Sequence, residues 1–412
     1  MAGLLVILLA SALQAADPQV PPNVNSRYLV VGVDISGGGK TRISRGLRED
    51  IEKLVGNKLD SQLLEKLAGR IRRELNARRV THKLVRGTQP EQVIVLFEVS
   101  GRRPRSNIDF LLRKGLYHAK QGWTGALDSK VTVGDSEFTL GVVSDGDALL
   151  ERYAGLHAGY EYTRLGTDRV HLGFQFASYH QKWNAATGTA VADSPDVPGV
   201  YRTRQEFAPA LTVLLAEPLT LTVGTSFQRF QSQFPAARTE AANTVTTSLR
   251  YARRLEDAHN NRHEVKAGYN LRAATGALGA DYVYSRHAAD FSYAFTRNRH
   301  RLEAGFLAGR TGGTPPLFDR FVLGNSATLR GWNKFDVAPL GGTRVVHGSA
   351  SYGYAWFHVF YDAGALWDKH HDTEAKHSLG AGIRTKGGFY LALAFPLRSG
   401  RADPVFLTGM GL

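Results

Sequence analysis

Leu219-Thr-Leu-Thr-Val-Gly-Thr-Ser-Phe-Gln228 alternates apolar with polar almost residue by residue. In an extended chain successive side chains point to opposite faces, so Leu219, Leu221, Val223 and Phe227 share one face and Thr220, Thr222, Ser226 and Gln228 the other. Comparable runs recur at Leu156–Tyr162, Val170–Phe176, Val245–Tyr251, Val265–Leu271, Phe291–Phe295, Leu302–Ala308, Leu379–Ile383 and Phe389–Phe395. Their non-apolar positions hold Gly, Thr, Gln, Lys, Arg and Glu. One face suits lipid and the other a wet lumen, the dyad of an outer-membrane barrel.

A soluble sandwich also alternates, but it fills its core from two sheets of mostly short strands. Here the runs are long and carry aromatic residues at their ends, as residues at a membrane interface do. The expectation is a membrane all-β barrel over 106–412. Fourteen strands can be marked between Ser136 and Leu412. Ser106–Val133 has room for two more, although Leu116–Val133 alternates poorly, and bacterial barrels close with even numbers. The expected count is therefore about sixteen antiparallel strands.

Composition agrees. The 412 residues include 44 Gly, 16 Tyr and 20 Phe, with two Met and no Cys, a mixture rich in strand and turn formers. Without cysteine there are no disulfides and no thiolate metal sites. The formal net charge of +14 suits lumen arginines and loops facing phosphate-bearing lipid; no nucleic-acid partner is expected.

The chain begins MAGLLVILLASALQAADP. The apolar run Leu4–Leu13 is too short to span a bilayer, and small residues follow it, so residues 1–16 read as a secretory signal peptide cut near Ala15 or Ala16. No Lys or Arg precedes the run, so the expectation is that the written start codon lies downstream of the natural one.

Residues 22–102 have a different period. A β-run from Arg27 to Ile35 is followed by Leu47, Ile51 and Leu54 at helical spacing. After the capping residue Asp60, the spacing returns at Leu63 or Leu64, Leu67, Ile71 and Leu75. Val80–Val85 and Val93–Val99 follow as strands, separated by the turn residues Gly87–Pro90. Strand, helix, helix, strand, strand makes a small α+β domain. Within it Ser36-Gly-Gly-Gly-Lys-Thr41 imitates a phosphate loop, but the required earlier glycine is replaced by Asp34, so it reads as a turn.

Phe321-Val-Leu-Gly-Asn-Ser-Ala-Thr-Leu-Arg-Gly-Trp332, then Gly341-Gly342, then Phe360-Tyr-Asp-Ala-Gly364, all behind a strand-helix-helix-strand-strand module, resembles the outer-membrane protein assembly superfamily of BamA and TamA. His377–Arg384 and Phe389–Leu397 resemble that family's penultimate strands. The resemblance covers essentially the mature chain and implies one POTRA-like domain in the periplasm at 22–102 and a sixteen-stranded barrel in the bacterial outer membrane. It implies a loop folded back into the lumen, in which Leu329, Arg330, Gly331 and Trp332 meet a wall strand carrying Phe360, Asp362 and Gly364, with Arg330 paired to Asp362. Strand parity agrees: Phe360, Asp362 and Gly364 share a face opposite to Phe357, Val359 and Tyr361.

Three positions depart from the family pattern. Ser349-Ala-Ser-Tyr352 stands where a glutamate is common, the chain ends in Leu412 instead of an aromatic residue, and only one POTRA-like module is present.

The implied function is an outer-membrane protein insertion factor or translocase that templates client strands at a lateral seam. The alternative is a two-partner-secretion pore; an outer-membrane enzyme or a passive porin ranks below both. Expected partners are membrane lipids, unfolded outer-membrane or secreted client polypeptides and periplasmic accessory proteins. No catalytic residue, cofactor or metal site is expected: G-x-S-x-G and H-E-x-x-H are absent, and His370-His371 reads as loop.

Overall fold

The structure, a computed structural model, describes residues 28–36, 43–75, 77–102, 106–194, 197–234, 236–256, 261–368, 374–385, 387–398 and 403–410. The leader, most of the Gly-rich turn after Ile35, His370-His371 and Leu412 lie outside them.

The small domain runs β1 (Leu29–Ile35), α1 (Arg45–Glu52), α2 (Ser61–Glu74), β2 (Ala77–Arg86) and β3 (Gln92–Arg102). Its sheet order is β1-β3-β2, with β1 parallel and β2 antiparallel to β3. Both helices start where the sequence supplies a cap. Ser44 Oγ accepts from Leu47 N, and Asp60 Oδ1 accepts from Gln62 N at 2.9 Å and Leu63 N at 3.2 Å, satisfying amide donors that a helix start leaves free. Leu47 and Ile51 of α1 and Leu64, Leu67 and Ile71 of α2 pack on Val93, Val95 and Phe97 of β3. This is a self-contained apolar core.

Antiparallel strand segments from Ser106–His118 to Val405–Met410 then close on themselves. Two of them, Arg238–Ala241 and Thr244–Glu256, both pair with Leu219–Ser232 and form one interrupted stave, so the barrel has sixteen. Alternation decides which side chains face out. On the third stave, Ser136–Asp145, Phe138, Leu140 and Val142 are all exposed. Facing inward are charges that find one another, such as Lys114 with Asp145 and Glu303 with Arg384. Closure pairs the sheet edges that hydrocarbon cannot hydrogen-bond, except along part of the first stave at the closing seam. Among the described residues no helix is long and apolar enough to cross a membrane.

One element escaped the sequence reading. Ala185–Ala192 is a helix in the loop between the fifth and sixth staves, capped by Asn184. Its side chains are mostly alanine and threonine, too small to leave an amphipathic signature.

The small domain is docked on one end of the barrel. Arg70 of α2 donates to Asp168 at 2.6 Å and to Glu217 at 2.8 Å, both in turns between staves, and to Asp50 of α1 at 3.0 Å. Arg169 also binds Asp50. The loop between the eleventh and twelfth staves leaves from the opposite end.

Candidate functional site: an inward-folded loop and a short seam

That loop, residues 314–343, folds into the lumen. Phe321 and Gly342 exchange backbone hydrogen bonds at 2.8 and 2.9 Å and gather its two arms. At its tip Asn325 Oδ1 accepts from Ala327 N, Thr328 N and Thr328 Oγ1, an Asx-type turn that orders the approach to Leu329. Leu329 adopts φ 47° and Gly331 φ 150°. A Cβ on Gly331 would lie 3.1 Å from the backbone of Phe395 and Pro396, so glycine lets the loop touch the wall.

Arg330, between them, points at the thirteenth stave, Phe357–Trp367. Its Nε donates to Asp362 Oδ2 at 2.9 Å, its Nη2 to Oδ1 at 2.8 Å, and its backbone N to Oδ2 at 3.0 Å. The Asp362 carboxylate is fully buried, and the planar fork satisfies both of its oxygens. Below the pair lies Phe360, whose ring centre is 3.6 Å from Arg330 Cζ. Gly380 makes space for that ring, and Gly364 makes space for Leu323. Trp332 is buried, donates its indole N–H to His377 O at 2.8 Å and carries Arg398 over its ring at 4.3 Å. Leu329, Arg330, Gly331, Trp332, Phe360, Asp362 and Gly364 therefore form one contact region. Ser349, at the position where the family pattern has glutamate, is the direct cross-strand partner of Asp362.

The loop has further anchors that the sequence reading missed. Lys334 is almost fully buried and donates through Nζ to Gly146 O at 2.7 Å and to Leu149 O. Burial pushes its ammonium down to about 8, against the pull of Asp147, Glu151 and Asp145. Ser326 N donates to Asp147 Oδ1 at 3.0 Å, and Gln121 Nε2 to Gly324 O at 2.6 Å. These partners lie in loops far away in sequence, and no spacing rule links them. The only local signal was Asn333, a helix-capping residue just before Lys334.

A second feature lies where the barrel closes. Among the described residues the last stave pairs with the first over four positions, Leu407↔His118 to Met410↔Gly115. The first stave pairs with the second along its whole length, with a bulge between Leu112 and Lys114. Among the described residues no strand forms a ladder with Ser106–Lys114 on the side facing the last stave. Phe110, Leu111 and Leu112 are exposed there. Gly409 permits the short pairing: a Cβ would come 2.8 Å from Leu116 Cα. The two features are adjacent, since Phe360 under Arg330 packs in a cluster with Tyr390 and with Val405 and Leu407 of the last stave.

The wall is known from other proteins. The crystal structure of BamA from Haemophilus ducreyi lacking POTRA domains 1-3 superposes with a TM-score of 0.60 at 13% identity, over 93% of this chain and 84% of that one. CdiB from Acinetobacter baumannii gives 0.60 at 13% identity over 94% and 74%, and CdiB from Escherichia coli 0.54 at 13% over 93% and 76%. At such identities the likeness concerns the fold. No curated protein sequence matches the chain. Residues 150–403, which include the inward loop and its wall partner, match the Omp85 superfamily domain, and the chain belongs to that superfamily.

Proposed function

We propose that the protein is an outer-membrane insertion factor or translocase of the BamA/TamA type, which offers the open edge of its first stave as a template for client β-strands. The observation that carries this is the seam, which among the described residues has four ladder pairs and leaves Ser106–Lys114 without a strand-to-strand pairing toward the last stave. A strand edge in hydrocarbon leaves N–H and C=O groups without water, so a nascent barrel and this edge each supply what the other lacks. The short seam costs little to separate, because few ladder bonds must break.

In this reading the inward loop holds the wall beside the seam. Arg330 fixes Asp362 and covers Phe360, and Phe360 packs on the last stave. The small domain acts as a POTRA-like module in the periplasm. Among the described residues its strand β2 pairs with β3 alone, so its outer edge suits β-augmentation by an incoming chain. The partners are then membrane lipids, unfolded outer-membrane or secreted polypeptides, and periplasmic accessory proteins.

Depletion of the protein followed by quantitative outer-membrane proteomics tests the proposal. A broad fall in β-barrel proteins is expected. Loss of a single secreted protein with barrels unchanged would overturn it in favour of a two-partner-secretion pore.

A further inference from the structure

On the outer wall, two arginines face each other where attraction between the strands would call for anything else. Arg310 of the eleventh stave, His300–Gly313, and Arg344 of the twelfth, Arg344–Tyr354, are direct cross-strand partners. Leu302 and Phe306 on one stave and Val346 and Tyr352 on the other share their face and are exposed, so by the two-residue period both guanidinium stems stand on the lipid side. Like charges directly opposite destabilise a strand pair. Among the described residues neither arginine makes an ion pair, and Asp368, which follows Trp367, is taken by Arg320.

The surroundings are those of a headgroup site. His287 is the cross-strand partner of Arg310 on its other side, and its Nδ1 is 2.7 Å from Tyr269 OH. Trp367 is the partner of Arg344. Cation, cation, imidazole and indole thus form one row across four staves, close to the end of the barrel away from the small domain. The row borders a shallow trough of ≈510 Å³, floored in part by Ala308 and Val346. Small side chains there leave a channel that runs from the charges toward the apolar band. A bare inorganic anion would use the charges and leave the channel empty.

We propose that Arg310 and Arg344 clamp the phosphate of a phosphorylated lipid in the leaflet farther from the small domain, with an acyl chain lying along the trough. The phosphate removes the repulsion between the guanidiniums and gives each a charge-assisted hydrogen bond. Trp367 and the Tyr269–His287 pair sit at headgroup level, where amphipathic rings are stable. The lipid then bridges the two staves flanking the inward loop.

Native mass spectrometry of delipidated protein in neutral detergent, titrated with diphosphorylated lipid A, with phosphatidylcholine or with inorganic phosphate, tests the clamp. Lipid A is expected to bind about tenfold more weakly to the Arg310→Gln/Arg344→Gln variant than to the parent, with a smaller loss for phosphatidylcholine, whose singly charged phosphodiester lies beside its own cation. Equal lipid A binding to both proteins would overturn the proposal. So would displacement of lipid A by inorganic phosphate at equal concentration, which would mark a free-anion site. Arg310→Glu supplies an independent measure: it places a carboxylate opposite Arg344, so it is expected to raise the melting temperature in lipid-free detergent and to abolish lipid A binding. A lower melting temperature in a correctly folded Arg310→Glu barrel would show that the two guanidiniums do not face each other.

Discussion

Arg330 holds Asp362 at three points, through Nε, Nη2 and its own backbone N–H, so that neither carboxylate oxygen lacks a donor. Truncating the arginine leaves a fully buried carboxylate with only the amide. Arg330→Ala is expected to lower barrel stability by about 3 kcal/mol, the usual scale for breaking a buried pair from one side. Arg330→Lys keeps the charge without the fork and recovers only part of it. A double-mutant cycle with Asp362→Asn, read by heat-modifiable migration, is expected to show coupling; additive losses would mean that the two side chains act separately.

Much of this pair was legible before any coordinates. A period of two fixes which of Phe360, Tyr361 and Asp362 face the lumen, and the resemblance to the BamA and TamA superfamily implied the partner. The alternating runs likewise marked the staves, because lipid on one side and water on the other impose the pattern directly. What stayed hidden depends on contacts between loops. Nothing near Asp147 in sequence points to Ser326 or Lys334, and the outward orientation of Arg310 and Arg344 means little until register places them opposite each other. The broken stave at Arg238–Ala241 and Thr244–Glu256 was equally silent, since the break is set by Ala242 bonding back to Gln228.

The seam gives a prediction that uses the absence of native cysteine. Thr408 and Tyr117 are cross-strand partners in it, so Thr408→Cys with Tyr117→Cys places a single candidate disulfide at cross-strand spacing. Oxidation is expected to abolish client insertion into liposomes, and reduction to restore it. Full activity of the oxidised, cross-linked protein would show that separation of the first and last staves is not required. Gly409→Val acts in the opposite sense: its branched side chain cannot fit against Leu116, and the cross-link should form more slowly in that background.

Lys334 predicts a rise in stability with pH. Its folded-state value near 8 lies below the ordinary 10.5 because burial disfavours the ammonium. Below pH 8 the lysine is protonated in both folded and unfolded states, and the cost of burying charge is present in full. Between the two values only the unfolded state holds the proton, so stability increases by at most about 1.4 kcal/mol per pH unit. Lys334→Met removes that rise and also leaves Gly146 O and Leu149 O without their donor, a loss of about 1–3 kcal/mol at neutral pH. Melting curves of both proteins between pH 7 and 10 decide it: parallel pH profiles would show that Lys334 does not titrate there.

Docking of the small domain should fail at low pH. Burial of Asp50 would by itself raise its carboxyl, but hydrogen bonds from Arg169, Lys53 and Arg70 outweigh it and leave the group below its ordinary 3.8. The charged form is therefore the one that binds. Its contribution is complete above the ordinary value and is lost as pH falls through the lowered one. Since Arg169 belongs to the barrel and Arg70 spans to Asp168 and Glu217, protonating Asp50 loosens the joint between domains, while the core of Leu47, Leu67 and Phe97 is untouched. Hydrogen exchange at the 163–169 turn is expected to be slow and constant from neutral pH to about pH 5, after correction for intrinsic rates, and to accelerate below 3.8. Arg70→Ala should show the fast exchange at neutral pH, with the isolated residues 22–102 still folded by circular dichroism. Slow exchange in Arg70→Ala would mean that some contact other than this ion network holds the domain in place.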